Sequence, residues 1–428
     1  MVARSLPEWL ARLERLHPSE IDMGLGRVTQ VARRLGVLKP TELVFTVTGT
    51  NGKGSTCAGL DSLLRAAGLR TGLYTSPHLL RYNERVSIDG QSVSDEQLCL
   101  AFEAIDSIRG DVSLTYFEFA TLAALWLFHR AGVAAAVLEV GLGGRLDAVN
   151  IVDADIAVVT SIGLDHAEYL GDTRDSVGYE KAGIARSGKP LVCGEPDLPT
   201  GFTDEVERRA ARLFWRGRDF HLSTDDQGML LQGHAADGQP RQLRLPETRL
   251  PPANLALAVQ AFWLAGLDLP EAVAAQALRE AFVPGRLERR TISWHGQPRR
   301  ILLDVGHNPH AAAFLAATLR QESLPRHAVF GLLADKDLPG VVAQLQGVFD
   351  GWAVAPLPSP RSRPARDLAT HLIAIGERAE ACDSVAAALK LTLDETPAGT
   401  EIVVFGSFFC VADAILWLSN QAQELTNG

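Results

Sequence analysis

Residues 49–55, Gly49-Thr50-Asn51-Gly52-Lys53-Gly54-Ser55, gather three glycines, a lysine and two hydroxyls into one turn. An apolar run, Val44–Thr48, leads in. Thr56–Ala67 follows, with Leu60, Leu63 and Leu64 at helical spacing. A glycine turn between strand and helix leaves backbone N–H groups directed inward, beside the positive end of the helix. An ammonium there supplies a point charge for β- and γ-phosphates. The match to G-x-x-x-x-G-K-[ST] is incomplete: Val47 stands where the first glycine belongs, and Gly54 separates Lys53 from Ser55 and Thr56. The competing reading is a tight turn that happens to contain lysine. The strand and helix on either side favour phosphate binding.

Other polar residues stand at the ends of apolar runs. "LYTSPHLLRYNERV", 73–86, places Ser76 and His78 beyond one such run. "AAAVLEVGLGGRLDAVN", 134–150, places Glu139 near the end of another. Its glycines lack the third member of the dinucleotide fingerprint. "VVTSIGLDHAEYLG", 158–171, does the same with Asp165 and His166. Singly, these residues read as a helix cap, a surface carboxylate and a hydrogen-bonded core histidine. In an open parallel sheet, however, ligands sit outside the carboxyl ends of the strands, so Ser76, Glu139 and His166 can converge beside the phosphate turn. Three such groups favour a metal–phosphate site. Lys181, in "YEKAGIARSGKPLV", stands at a predicted helix start, where spacing alone makes it a solvated side chain. "LLDVGHNPHAAA", 302–313, repeats the strand, polar turn and helix with Asp304, His307 and Asn308. Asn308-Pro309 also reads as a helix N-cap followed by proline.

The elements that must position these groups alternate strand and helix. Val44–Thr48, Gly72–Thr75, Ala134–Val140, Ile156–Thr160 and Pro190–Cys193 read as buried strands, and Phe117–Ala131 as a core helix. This is the rhythm of a mostly parallel sheet covered on both faces. Residues 216–250 turn short and polar, as in an antiparallel edge or hairpin, before helices at Asn254–Ala265 and Pro270–Glu280. "AFVPGRLERR", 281–290, reads as a boundary because Pro and Gly precede a charge run. A second α/β series follows, with strands at Ile301–Asp304, Ala328–Leu332, Trp352–Ala355 and Glu401–Phe405. The expected fold is α/β: residues 1–287 a P-loop ATPase domain, 288–428 a smaller Rossmann-like domain.

At 428 residues the chain exceeds one ordinary core, so two domains are expected. Its 46% hydrophobic and 21% charged residues are those of a soluble globular protein. No apolar run reaches the roughly 20 residues of a membrane span. The first residues, "MVARSLPEWLARLERL", form an amphipathic pattern rather than a signal peptide. Five scattered cysteines without a C-x-x-C pair suit the cytosol and make a finger-type zinc site a poor reading. A net charge of −10 argues against non-specific nucleic-acid binding. Local groups must therefore hold any anionic ligand.

Together these stretches resemble the Mur-ligase superfamily, and within it folylpolyglutamate synthase. The resemblance is carried by "TGTNGKGS", "YTSPHLLRYNERV", "LTYFEFATLAALWLF", "LEVGLGGRLDAVNIV", "SIGLDHAEYLG", "EKAGI", "LPPANLALA", "PGRLE", "DVGHNPHA" and "VVFGSFFCVAD". They run in family order over nearly the whole chain; the residues after Gly406-Ser407 depart from the family pattern without touching the presumed chemistry. "IDMGLGRVTQVARRLGV", 21–37, is similar to the dihydropteroate-binding stretch of the bacterial bifunctional enzymes, which are also dihydrofolate synthases. The resemblance implies an ATPase domain and a Rossmann-like domain with the active site between them. It implies ATP contacts from Thr50, Asn51, Gly52, Lys53, Gly54, Ser55, Asn254, Arg286, Asp304 and His307. It implies two magnesium ions with Ser76, Glu139 and His166 as ligands, and carbamylation of Lys181. Asp22, Met23, Gly24, Leu25, Thr115, Tyr116, Phe117, Glu118, Leu146, Asp147 and Ala148 match the pterin site. Lys53, Lys181 and His166 are the implied catalytic residues.

The implied reaction is the ATP-dependent joining of L-glutamate to dihydropteroate or to a reduced folate, through an acyl phosphate, by a cytoplasmic monomer. No enzyme nucleophile is required; positioning and charge neutralisation suffice. Histidine is an unusual ligand for so hard a cation, and only the match retains His166. A P-loop kinase or nucleotide switch would need an acceptor or partner surface that is not evident. A muramyl ligase is the rival within the superfamily, and "IDMGLGRV" and the two-domain length speak against it.

Overall fold

The computed structural model describes residues 4–19, 21–421 and 423–427, and the chain divides into two compact units, Met1–Val283 and Pro284–Gly428. The first unit opens with two amphipathic helices, α1 (Leu6–Leu13) and α2 (Gly26–Leu35), which bury Trp9 and Val31. β1 (Leu43–Thr48) leads through the glycine turn into α3 (Lys53–Ala66), and then come β2 (Thr71–Tyr74), β3 (Val86–Ile88) and β4 (Gln91–Ser92). The chain continues through α4 (Asp95–Arg109), α5 (Tyr116–Ala131), β5 (Ala135–Glu139), β6 (Ile156–Val159), α6 (Ala167–Leu170) and α7 (Arg174–Ala182). β7 (Pro190–Cys193), α8 (Thr200–Arg208) and β8 (Arg212–Trp215) complete the sheet, whose order is β4-β3-β2-β5-β1-β6-β7-β8.

From β2 to β8 the neighbours are parallel; only the β3 and β4 edge is antiparallel. β1 and β5 are buried almost throughout, as parallel strands covered on both faces must be. One face packs α5, whose Phe119, Leu122, Leu125 and Phe128 are fully buried. Each such side chain contributes about 1.5–3 kcal/mol by leaving water. α5 starts at Thr115 because Thr115 and Glu118 cap each other: the Glu118 amide donates to Thr115 Oγ1 and the Thr115 amide to Glu118 Oε2, at 3.1 and 2.7 Å.

The other face packs α3 and α9 (Pro252–Leu264), which comes after a separate antiparallel sheet of β9 (His221–Asp225), β10 (Gly228–His234) and β11 (Pro240–Leu245). The short polar strands expected within 216–250 are this sheet. α10 (Glu271–Glu280) lies beyond α9, and Ser62 of α3 donates to the Ala277 carbonyl at 2.6 Å.

The second unit begins with a hairpin of β12 (Glu288–Trp294) and β13 (Gln297–Asp304), turned at His295-Gly296 with φ of 49° and 76°. The division between the units lies inside 281–290; what the sequence does not show is that the charge run Arg286–Arg290 continues into a strand. Glu288 is buried and accepts from the Gly285 amide and the Arg290 guanidinium, so the charges satisfy one another within the sheet. α11 (Pro309–Leu319), β14 (Arg326–Phe330), α12 (Leu338–Leu345), β15 (Gly351–Val354), α13 (Ala365–Ala374) and β16 (Ala379–Ala381) follow. α14 (Val385–Glu395), β17 (Glu401–Phe405), α15 (Phe408–Gln421) and β18 (Gln423–Asn427) end the described chain. The order is β16-β15-β14-β17-β13-β12-β18, parallel from β16 to β13. Asn308 caps α11 through the Ala311 amide, with Pro309 next, as read from the sequence.

Candidate active site

Strand register is what gathers the polar groups of the first unit. Val47 of β1 lies opposite Glu139 of β5, Thr48 opposite Val159 of β6, and Tyr74 of β2 opposite Leu138. The turns after β1, β2, β5 and β6 therefore leave the sheet at one level. The helix after β1 begins at Lys53, three residues before the sequence places it, and takes Gly54 into its first turn. Gly52 sits at φ 89°, and a side-chain Cβ there would lie 2.5 Å from Asn254 Oδ1. Only glycine satisfies both the left-handed backbone and the close approach. A Cβ at Gly49 would overlap Thr160 Oγ1.

The turn is laced to the segment after β6. The Thr50 amide donates to the Ser161 carbonyl at 3.0 Å, the Asn51 amide to Ser161 Oγ at 3.0 Å, and Thr160 Oγ1 to the Asn51 carbonyl at 2.6 Å. Thr56, the last hydroxyl of the motif, is fully buried and donates to the Asn254 carbonyl, so it faces the protein. Lys53 Nζ donates to the carbonyls of Gly49 and Thr50 at 2.8 and 3.4 Å. A cation in the first turn opposes the helix dipole by about 0.3–1 kcal/mol, which an incoming polyphosphate would reverse. The N-cap of this helix is Gly52, which has no side chain to cap it, and its first-turn amides point the same way.

Glu139 is buried and accepts from the Ser76 amide through Oε2 at 3.1 Å, which unites two of the three expected metal ligands. His166 stands in the left-handed region at φ 52°, at the start of α6, with its side chain half exposed. Among the described residues no three His, Cys, Asp or Glu side chains form a ligand cluster. Magnesium ordinarily keeps several waters and takes one or two carboxylates together with phosphate oxygens. Glu139 and Ser76 beside a phosphate turn fit that demand. His78, also singled out in the sequence, is neutral: burial and the Arg85 charge lower it to about 4. Arg85 Nε donates to its Nδ1 at 2.8 Å.

Lys181 departs most from expectation. It is buried, at 3% exposure, in the last turn of α7 rather than at a helix start. Its neighbours in sequence carry no sign of this. Gly144 packs closely on this turn: a Cβ there would lie 2.8 Å from the Glu180 carbonyl and 3.3 Å from Lys181 Cα. Burial lowers the Lys181 ammonium to about 7, the Lys53 charge pushes the same way, and Asp165 opposes. Asp147, also buried, is raised to about 6 by desolvation, against the Leu142 and Val149 amides and Lys53.

A cavity of about 750 Å³ collects the pterin candidates. Asp22, Met23, Gly24, Thr115, Tyr116, Phe117, Glu118, Leu146, Asp147 and Ala148 line it, together with Ser76 and His166. Leu25, the N-cap residue of α2, does not. Thr115 and Glu118 are partly committed to capping α5, and Glu118 Oε1 also accepts from Arg27, which pairs with Asp22 at 2.8 Å. Arg85 and His17 line the cavity as well. Sequence alone does not distinguish them from surface residues; Arg85 reveals itself only by lying 5.4 and 5.6 Å from the rings of Tyr82 and Tyr116.

In the second unit Asp304 ends β13, buried, and accepts from the Leu287 and Gly306 amides at 3.1 and 2.8 Å. Desolvation raises it, against the Arg286 charge and those two amides. Arg286 and His307 both lie by the Phe408 ring, at 6.0 and 6.4 Å. The three expected residues of this unit thus gather at one strand end.

Residues 47–190 match the Mur ligase middle domain and residues 285–408 the Mur ligase glutamate ligase domain. The dihydrofolate synthase/folylpolyglutamate synthase of Escherichia coli K12 is 46% identical over 414 residues, covering 96% of this chain and 94% of its own. The chain belongs to the dihydrofolate synthase/folylpolyglutamate synthase family. Escherichia coli FolC in complex with DHPP and ADP superposes with a TM-score of 0.91 at 44% identity, covering 98% of both chains. A bifunctional folylpolyglutamate synthase/dihydrofolate synthase with Mn, AMPPNP and L-glutamate bound gives 0.88 at 44% identity, covering 97% of this chain and 98% of its own. Membership of this family disfavours the muramyl-ligase alternative. Among the described residues no helix is long and apolar enough to cross a membrane.

Proposed function

We propose that the chain is an ATP-dependent ligase that adds L-glutamate to dihydropteroate and to the terminal γ-carboxylate of reduced folates. The observation that carries this reading is the common level of the β1, β2, β5 and β6 ends, which sets a phosphate turn and a buried carboxylate beside the large cavity. Thr50–Ser55 and Asn254 would hold ATP, with Arg286, Asp304 and His307 of the second unit as further contacts. The cavity would take the pterin, with Asp22, Met23, Gly24, Thr115–Glu118 and Leu146–Ala148 around it. Ser76, Glu139 and His166 would hold magnesium, two ions in all, and Lys181 would carry a carbamate. The chain would act as a cytoplasmic monomer; its free thiols suit a reducing compartment.

A carboxylate does not acylate an amine at neutral pH until it is activated. Its oxygen attacks the γ-phosphorus, the bond to the β-phosphate oxygen breaks, and ADP leaves. The neutral α-amine of glutamate then attacks the acyl carbon, phosphate departs, and the amine proton passes to solvent. Two anions must meet in the first step, so the Lys53 ammonium and the α3 amides offset repulsion where charge gathers. Bound magnesium would add charge neutralisation at the phosphates. Tight lacing of the turn to Thr160 and Ser161 keeps these donors fixed before substrate arrives.

The test is ATP turnover with dihydropteroate and with tetrahydrofolate, each with and without glutamate. Turnover with each of the two substrates that requires glutamate supports the reading; turnover indifferent to glutamate removes it. A narrower expectation concerns Glu139→Gln, which keeps an acceptor for the Ser76 amide but deletes the charge. Half-saturating magnesium should rise about tenfold or more, since even outer partners of metal sites are worth that much. An unchanged magnesium titration would take Glu139 out of the metal's shell.

A further inference from the structure

The loop Gly141–Asp147 and the last turn of α7 meet backbone to backbone. The Arg145 amide donates to the Glu180 carbonyl at 2.8 Å, and Arg145 Nε and Nη2 donate to Glu180 Oε1 at 3.1 and 2.7 Å. Asn150 Nδ2 donates to the carbonyls of both Arg145 and Gly183, at 3.0 and 3.1 Å. A side chain at Gly183 would run into Arg145, whose Cα lies 2.5 Å from the position of such a Cβ. Gly144 and Gly183, the Arg145 main-chain amide, the Asn150 side-chain amide and one ion pair thus make a single clasp. On one side of it Leu146, Asp147 and Ala148 line the cavity; on the other, Lys181 is the residue next to Glu180.

We propose that Arg145 and Glu180 are positioning residues that hold the pterin-facing loop in register with Lys181, and so set the substrate carboxylate, the phosphoryl acceptor, against the phosphoryl end of the site. The inference rests on the function proposed above. Arg145 is about one-third exposed, at 31%, and Glu180 12%. The partial exposure of Arg145 limits what the pair adds to stability. Its consequence is placement: a shift of about 1 Å in a reacting group costs on the order of a hundredfold in rate. The Arg145 guanidinium also lies 5.2 Å from the Tyr179 ring, which fixes the side chain's direction along α7.

Arg145→Met and Glu180→Gln each remove the ion pair while leaving the backbone bond between the two residues. In both, kcat with dihydropteroate should fall about tenfold or more and its KM should rise. The KM for ATP and the Tm should hold, because neither residue touches the Lys53 turn. Arg145→Lys should recover part of the loss, and the double variant should be no worse than the poorer single one, as coupled residues behave. Clasp variants that match an active parent, or whose two KM values worsen together with a falling Tm, overturn this inference alone. A parent with no dihydropteroate-dependent turnover overturns the functional reading and the clasp with it.

Discussion

Replacing Lys53 with alanine should lower turnover with either folate substrate by about a hundredfold to a thousandfold, the scale of losing one donor aimed at transition-state charge. Among the described residues its Nζ bonds two carbonyls of its own turn, Gly49 and Thr50, so the fold should not depend on it. Relief of the unfavourable cation at the α3 N-terminus offsets part of those lost bonds. Tm should therefore stay near that of the parent. Rates with saturating ATP and thermal melts decide the matter. Parental kcat in the variant would show that the turn binds no reacting phosphate.

The second large effect is expected at Lys181. Its place in the last turn of α7 favours a cation by about 0.3–1 kcal/mol. Burial works against the cation and wins, lowering the ammonium from 10.5 to about 7. At pH 8 roughly nine-tenths of such amines are neutral, against well under roughly one in a hundred for an ordinary lysine. The neutral amine adds carbon dioxide and releases a proton, exchanging an unwelcome cation for an anion with two oxygens that suit a hard metal. Lys181→Arg should be inactive, since guanidinium neither loses its charge nor forms the carbamate. Lys181→Ala should regain part of its activity with a short carboxylic acid. For the unmodified lysine the sign of the stability effect follows. The native pKa lies below the unfolded one, so the buried charge is fully unfavourable below about 7, and stability rises with pH from there toward 10.5. Mass measurement of bicarbonate-treated protein under non-acidic conditions is decisive. An unmodified Lys181 in fully active protein would end the idea.

How far the sequence reveals these features depends on where the cause lies. β1, β5 and β6 are legible because a strand buried on both faces must be apolar along its length, and Asn308-Pro309 is legible because a cap is a local device. The early start of α3 is hidden because Gly54 looks like a turn residue until Asn254 and Thr160 pack against the loop. The burial of Lys181 is hidden for a related reason: the loop at Gly144 that packs against its turn is distant in sequence. β12 is masked by charges that its own neighbours satisfy. Arg85 and His17 belong to the cavity only by tertiary placement.

The hold of Asn254 on the phosphate turn also has a consequence for the order of synthesis. Thr56 waits for a partner 198 residues further along the chain, and Gly59 packs against Leu255 and Ala258 of the same late helix. At about 5–20 residues per second, a ribosome delivers α9 roughly 10–40 seconds after α3. Until then the β1 turn lacks one wall, and one face of its sheet lacks a helix that covers it. The glycine turn, whose strand is among the first made, is thus among the last parts of its unit to be finished. Nascent chains of this protein spend that interval with an apolar face of α3 uncovered, which is where a chaperone would find them. Protease sensitivity of arrested chains, falling once residue 264 has emerged, would mark the moment of closure.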